Sequence, residues 1–577
     1  MQRINIKKFL LSPYCLLFIC SIVIFFLSTY RISDLIQPSV LNDEFGYWAN
    51  AAHLFGYDWS GVASMSPYYS YGYSLLLTPF FILDSPSLMY QLALILNAFF
   101  YIFSYLISYK CAKQLVENLS PSMLALICMI PALYSNNLLQ AHFTWTEALL
   151  YLCFWILFYL ILQIERNPKP LYFVSTAVVS IYMYTVHQRT VGVLIALILS
   201  LLICKVSKKI SLTNLFYFSI PFVICFLLAI LIKTDFKSNV WSFVSADLAK
   251  ANEYSGQFHK IFSILTDFET FLYATKGFLS KLFYLVSSSC LIFVFGMFYF
   301  IRNSRKHSRN LLLGMFCLLS LLFTLGINTV FSVKTLRIDA ILYGRYTEFL
   351  VGPFLLFGIL FLLNTKISWK YIPAFTIFMF LIAFFIKDYL HEGSDYLGAM
   401  SVGTSLFYNI KTDLFMVRYA VIVPLTLGSI IIIFKNIIKV KYIRFLAFIP
   451  CIIFWVLSAN NVFENWVMVW QKAASELTNI TSAIRETDNN YPIYFIYNEN
   501  FYGDNWNAER IQFLLPEKNI KRITYDDLDS AEGDYYVIHL LEEPIDRSKF
   551  CNIATGAYFY LFVPVQSTLS DYSASNP

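Results

Sequence analysis

Runs of about twenty apolar residues recur along this chain between short connectors, and that pattern leaves few folds open. A bilayer-crossing helix needs ~20 mainly apolar residues, because each residue rises only ~1.5 Å against a hydrocarbon core of ~30 Å. Thirteen runs are candidate spans, near 9–29, 88–109, 120–135, 147–162, 171–186, 191–204, 212–232, 283–301, 310–331, 349–364, 371–386, 415–434 and 443–461. Several are short, which leaves room for oblique or broken units. Composition points the same way: 14% of residues are charged, where soluble domains carry roughly 25%. Together these features exclude a secreted disulfide scaffold, a disordered chain and a nucleic-acid binder. The 11 cysteines fall mostly inside apolar runs and form no CxxC, so zinc and redox motifs lack support.

Basic residues orient the spans, since Lys and Arg are retained on the cytoplasmic side. With the basic N-terminus MQRINIKK inside, seven connectors fall on the inner face: 1–8, 110–118, 163–170, 205–209, 302–309, 366–370 and 435–444. They hold 20 Lys and Arg but only two acids, Glu117 and Glu165. The first run lacks a small-residue cleavage site and is read as a retained helix. Thirteen spans then put the C-terminus outside. The outer connectors are longer, and the first, about 30–87, carries Asp34, Asp43, Glu44, Asp58 and Asp84 against a single Arg31.

From about residue 464 the pattern changes. A Trp-rich exit helix over 464–487 precedes strand-like 491–497, helical 508–515, and strand-like 520–525, 535–540 and 558–563. The expected organisation is a membrane domain over 1–463 and a small outer α/β domain over 464–577.

The first outer loop carries the chemistry. Within Asn42-Asp43-Glu44-Phe45-Gly46-Tyr47-Trp48-Ala49, the residues Phe45, Trp48, Ala49, Ala52 and Phe55 recur at helical spacing. The reading is an amphipathic helix on the outer membrane surface, capped by Asn42 or Asp43 and ended by Gly56. Two roles stand open for Asp43 and Glu44. They can complement the helix dipole, or one can act as a catalytic carboxylate. Neighbours on a helix point ~100° apart, so only one can be the primary base.

An acidic pair on an interfacial helix after the first span resembles the GT-C membrane glycosyltransferases. These include protein O-mannosyltransferases, the aminoarabinose transferase of lipid A, and arabinofuranosyl- and mannosyltransferases of cell envelopes. The segment from Pro67 to Phe81 (PYYSYGYSLLLTPFF) looks like that family's P-Y-x-x-x-L-L-x-P-F element before the second span. The resemblance implies an all-α membrane fold of about 13 transmembrane helices. It also implies catalytic carboxylates at Asp43 and Glu44, and a second acid near the donor at Glu147.

Other polar residues sit at outer span ends, where ionisable groups are costly and often functional. His187 and Arg189 lie on an outer hairpin, with no acid partner nearby in sequence. Arg189 can snorkel to the interface, or bind phosphate through its planar guanidinium. Tyr343-Gly344-Arg345-Tyr346-Thr347-Glu348 opens the tenth span. Arg345 and Glu348 can pair at i,i+3, while a Gly-Arg-Tyr-x-Glu element at an outer helix start resembles that of bacterial envelope transferases. On that resemblance Arg345 and Tyr346 face a lipid-phosphate donor, with Lys334 and Arg337 nearby. Trp48, Tyr69 and Tyr71 offer apolar faces with polar edges for a sugar or acceptor, or form an interfacial belt. No cofactor is required by the sequence. A divalent cation, Mg or Mn, held by Asp43 or Glu44 with Glu147 stays open.

The implied protein sits in the bacterial plasma (inner) membrane with its N-terminus cytoplasmic. It moves one sugar from a polyprenyl-phosphate-linked donor to an envelope glycan or glycolipid, with Asp43 as base and inversion at the anomeric carbon. A polysaccharide polymerase or ligase is the first rival. A lipid-linked-saccharide transporter is the second, disfavoured by charges at span ends rather than midway.

Overall fold

The computed structural model describes residues 12–63, 68–242, 257–333, 342–365, 367–387, 397–409, 412, 414–438, 440–475, 477–487, 491–497, 504–528, 531–540, 546, 548–556 and 559–565. The described part of each of the thirteen apolar runs is mainly helical. Among the described residues, eight helices are long and apolar enough to cross a membrane, and four shorter apolar helices accompany them: Pro121–Ala132, Pro170–Val186, Val351–Asn364 and Tyr371–Ile386. The chain is a multi-pass membrane protein.

The eighth run is where expectation and structure part. The expected single span over 283–301 is a pair of helices, Phe268–Ser288 and Ile292–Asn303, meeting at 108°. Cys290 and Leu291 form the corner, both at positive φ (51° and 68°). Residues with a Cβ rarely adopt that conformation. Neighbours hold the corner in place: Trp455 donates to the Ser288 carbonyl at 2.7 Å and the Ser287 hydroxyl to the Ala420 carbonyl at 2.6 Å. Apolar residues continue across the corner, so hydropathy carries no sign of it.

Burial grades the helices. The most apolar stretch of Glu147–Arg166 is 78% buried and runs through the centre, whereas that of Leu212–Asn239 is 11% buried and faces outward on most sides. Helices Ile292–Asn303 and Val351–Asn364 approach backbone to backbone, because a Cβ on Gly296 would strike the Phe354 carbonyl and one on Gly358 the Ile292 carbonyl. Small residues permit such contact in membranes. This seam anchors the helix that follows Arg345.

The C-terminal domain is a five-stranded sheet with helices. Its strands are β1 (Ile493–Ile496), β2 (Ile520–Ile523), β3 (Tyr536–Leu540), β4 (Phe550–Thr555) and β5 (Phe559–Pro564). They lie in the order β2-β1-β3-β5-β4, parallel across β2-β1-β3 and antiparallel across β3-β5-β4. Strand β4 was not legible in sequence. It is an edge strand with a register irregularity between Asn552 and Ala554, so FCNIAT shows no clean alternation.

The first-loop helix, Asp43–Phe55, forms where expected and ends at Gly56 with φ 106°. Its setting differs from the expected membrane surface. Every residue from Glu44 to Ala52 is buried. The helix is enclosed, with the C-terminal domain against it: Phe513 packs on Trp48 at 5.2 Å, and Trp59 donates to the Pro516 carbonyl at 2.9 Å.

Candidate active site

The acidic pair divides between two jobs. Glu44 is fully buried and its carboxylate accepts five hydrogen bonds. One oxygen takes the backbone N–H groups of Ser39 (2.8 Å) and Val40 (2.7 Å). The other takes the Tyr90 hydroxyl (2.8 Å) and both the N–H (2.6 Å) and hydroxyl (2.7 Å) of Thr144. Burial pushes the Glu44 carboxyl up, and these bonds pull it back. Glu44 therefore satisfies the turn before the helix and ties that turn to Thr144, three residues before Glu147. Asp43, next in line, keeps its side chain 27% exposed.

Tying those segments together brings Asp43 near Glu147, and Arg345 sits between them. Its guanidinium pairs with Asp43 through Nη1, and with Glu147 through Nε at 2.6 Å. Arg345 is 2% exposed and lies over the Trp145 ring, 3.4 Å from the centroid. In a desolvated setting such a cation–π contact is worth about 2 kcal/mol. Arg189 binds the same Glu147 oxygen at 2.7 Å and lies over Tyr346 at 4.7 Å. Tyr69 completes the cluster, donating its hydroxyl to Asp43 at 2.8 Å. Burial, then the Asp43 charge, push the Tyr69 phenol well above its ordinary value, so it stays a proton donor. A Cβ on Gly46 would collide with the Tyr69 ring, so glycine at 46 is what lets that ring lie against the helix.

Arg189 is 7% exposed, yet among the described residues its Nε and Nη1 have no acceptor. A buried guanidinium with two unfilled donors demands an explanation, and an anionic ligand supplies one. His187 holds the hairpin in shape, its ring Nδ1 accepting the Arg189 backbone N–H at 3.2 Å. Its ring lies 6.0 Å from Tyr346, which packs on Tyr343 at 4.4 Å.

Other sequence candidates lie elsewhere. Trp48 is fully buried and donates to Thr144 at 2.9 Å. Tyr71 stacks on Phe236 at 5.2 Å and donates to the Ala229 carbonyl at 3.3 Å. Of the three aromatic candidates, only Tyr69 touches the cluster. Glu348 does not pair with Arg345; its carboxyl takes the hydroxyls of Tyr284 (2.5 Å) and Tyr134 (2.9 Å). Pro67, Lys334 and Arg337 lie outside the described residues. Two further neighbours had no sequence signal: Met400, whose sulfur is 3.8 Å from Arg345 Nη1, and Glu509, which accepts the Asn42 N–H at 2.7 Å.

The pair offered to a divalent cation, Asp43 and Glu147, is bridged by Arg345. Among the described residues, no group of three or more His, Cys, Asp and Glu could hold one.

Buried arginines and carboxylates gathered at one end of an apolar helical bundle, beside the C-terminal sheet region, define a polytopic membrane protein with a polar site at its rim. No protein-family model matches the chain, and no curated protein matches it. Among solved structures it is similar to ArnT from Cupriavidus metallidurans. With ArnT bound to undecaprenyl phosphate the identity is 11%, the TM-score 0.50, and the match covers 96% of this chain and 98% of that one. The apo form of that protein gives 11%, 0.49, 95% and 97%. The chain thus shares its fold with that protein over nearly its whole length.

Proposed function

We propose that this protein is an integral-membrane glycosyltransferase that moves one sugar from a polyprenyl-phosphate donor to a hydroxyl of an envelope glycan or glycolipid. One observation carries the reading: a partly open carboxylate, Asp43, pairs with buried Arg345, and Glu147 joins Arg345 to buried Arg189, whose Nε and Nη1 have no acceptor among the described residues. Base and anion site are thus linked through Arg345 and Glu147. The GT-C fold, shared with a protein that binds undecaprenyl phosphate, supports the same reading.

An alcohol is a poor nucleophile near neutral pH. Asp43 accepts its proton as the oxygen attacks the anomeric carbon. The bond from that carbon to the phosphate oxygen breaks, and its electron pair leaves with the lipid phosphate. Attack opposite the leaving group inverts the centre. Arg189, with two donors to give, and Arg345 meet the developing phosphate charge in a water-poor setting where such contacts count most. The arriving phosphate competes with Asp43 for Arg345, which frees a carboxylate oxygen for the proton. Glu147 keeps both guanidiniums oriented, and Tyr69 fixes the other Asp43 oxygen. The donor enters sideways from the bilayer. In this reading the site faces outward from a bacterial plasma membrane, with the N-terminus cytoplasmic.

The test is transfer of radiolabelled sugar from a panel of polyprenyl-phosphate sugars to envelope glycan extract, by purified protein beside Asp43→Asn. Label transfer by wild type, with loss of about 10²–10⁴-fold in the variant, is expected. Equal transfer by both removes Asp43 as base. No transfer from any donor by well-folded protein rejects the transferase reading.

A further inference from the structure

Glu509, on the helix Asp504–Leu514, joins the C-terminal region to the residue before Asp43. Glu509 is 1% exposed. Its carboxylate accepts the backbone N–H of Asn42 at 2.7 Å, across 467 residues of sequence. With the Asn42 amide turned nitrogen-inward, that group donates to the same carboxylate at 2.7 and 3.0 Å. Asn42 itself is strained. Its φ of 65° and ψ of −54° lie in the classic γ-turn region, which residues with a Cβ seldom occupy. Such a conformation persists only where the surroundings over-determine it. Asn42 is also the residue before Asp43, so its backbone sets where the Asp43 carboxylate points. An ordinary helix start would be satisfied by its own cap side chain, but Asn42 makes no such bond here.

We propose that Glu509 is a positioning residue: it holds Asn42 in its strained turn and thereby aims Asp43 at the acceptor hydroxyl. This rests on the reading of Asp43 as the base. The soluble domain is then a working part of the site. Phe513, one turn on, packs on Trp48 and on Tyr90 (6.1 Å), the partner of Glu44, so one helix of the domain grips the Asp43 helix and its anchor together. Glu509's charge also helps to keep the Tyr69 phenol protonated.

The experiment uses the full-length protein, with kcat, donor KM and melting temperature read for each variant. Glu509→Ala is expected to lower kcat about tenfold or more while donor KM stays within about threefold, the pattern of a lost transition-state geometry. Glu509→Gln keeps an acceptor oxygen for the Asn42 N–H and is expected to recover most of that loss. Asn42→Gly tolerates positive φ and keeps the N–H but loses the side-chain bonds to Glu509, so its kcat is expected to fall less than that of Asn42→Val. Asn42→Val keeps Glu509 but resists φ 65°, and a fall of about fivefold or more is expected. The proposal is overturned if kcat of folded Glu509→Ala stays within about twofold, if Gln does no better than Ala, or if Asn42→Val turns over normally. Should Glu509→Ala fail to fold, the two Asn42 variants decide alone. Asp43→Asn in the same series separates the two claims. Full turnover there retires the base assignment itself, whereas an inactive Asp43→Asn beside a normal Glu509→Ala retires only Glu509.

Discussion

Removing the charge of Glu147 would leave two buried guanidiniums, Arg189 and Arg345, sharing one side with a single partly exposed carboxylate. Breaking a buried pair by deleting one partner costs about 3–5 kcal/mol. Glu147→Gln is therefore expected to lower the unfolding midpoint as well as turnover, whereas Asp43→Asn lowers turnover with a smaller stability change. Equal midpoints for Glu147→Gln and wild type in detergent melts would contradict the ion-pair account. A second expectation concerns metal. Because Arg345 fills the space between Asp43 and Glu147, turnover should survive chelation by EDTA; a loss restored by Mg or Mn would contradict this. Asp43, Glu147, Arg189 and Arg345 were each legible in sequence as polar residues at outer span ends. Their pairing was not. Local spacing offers Arg345 the nearby Glu348, but burial beneath Tyr134 and Tyr284 takes Glu348 away, and the partner Asp43 lies 302 residues off. The different settings of the acidic pair were equally hidden, since a buried carboxylate and a partly exposed one look alike as adjacent letters.

At the scale of elements, the site depends on how closely one helix admits its neighbours. Gly46→Ala places a methyl group where the Tyr69 ring lies. The ring must then leave, and its bond to the Asp43 carboxylate goes with it. A hydrogen bond to a charged group is worth about 1.5–3 kcal/mol, so kcat should fall roughly tenfold to a hundredfold. Tyr69→Phe should match that loss and show no added effect in the double variant. A Gly46→Ala protein with wild-type kcat would mean that Tyr69 does not orient Asp43. Apolar periodicity located the helices because lipid and core both select apolar side chains. The same fact hid the 108° corner at Cys290–Leu291, where backbone direction changes and hydropathy does not. It also made the Asp43–Phe55 helix look like a surface element. Its alanines, glycine and aromatics suit an enclosed helix as well as an interfacial one, and the covering domain lies more than 400 residues away in sequence.

Across the whole molecule, connectors far apart in sequence converge on the site. Residues 42–46, 144–147, 187–189 and 343–348 meet at one end of the bundle, and Glu509 joins the C-terminal domain to that same end through Asn42. One exposed position in that domain therefore reports the side on which the entire site opens. Glu532 is exposed, and Lys306, in a basic connector expected inside, is exposed at the far end. Cys551 is half-buried in the same domain and would contribute background, so the probe belongs in a Cys551→Ser protein. A membrane-impermeant maleimide should label Glu532→Cys in intact spheroplasts, and Lys306→Cys only after permeabilisation. The opposite pattern would invert the chain. Asp43 and Arg345 would then face the cytoplasm, where nucleotide sugars are available and a lipid-phosphate donor loses its rationale. The separation of 20 basic from two acidic residues across the inner connectors argues for the first outcome, since retention of Lys and Arg acts on short connectors such as these.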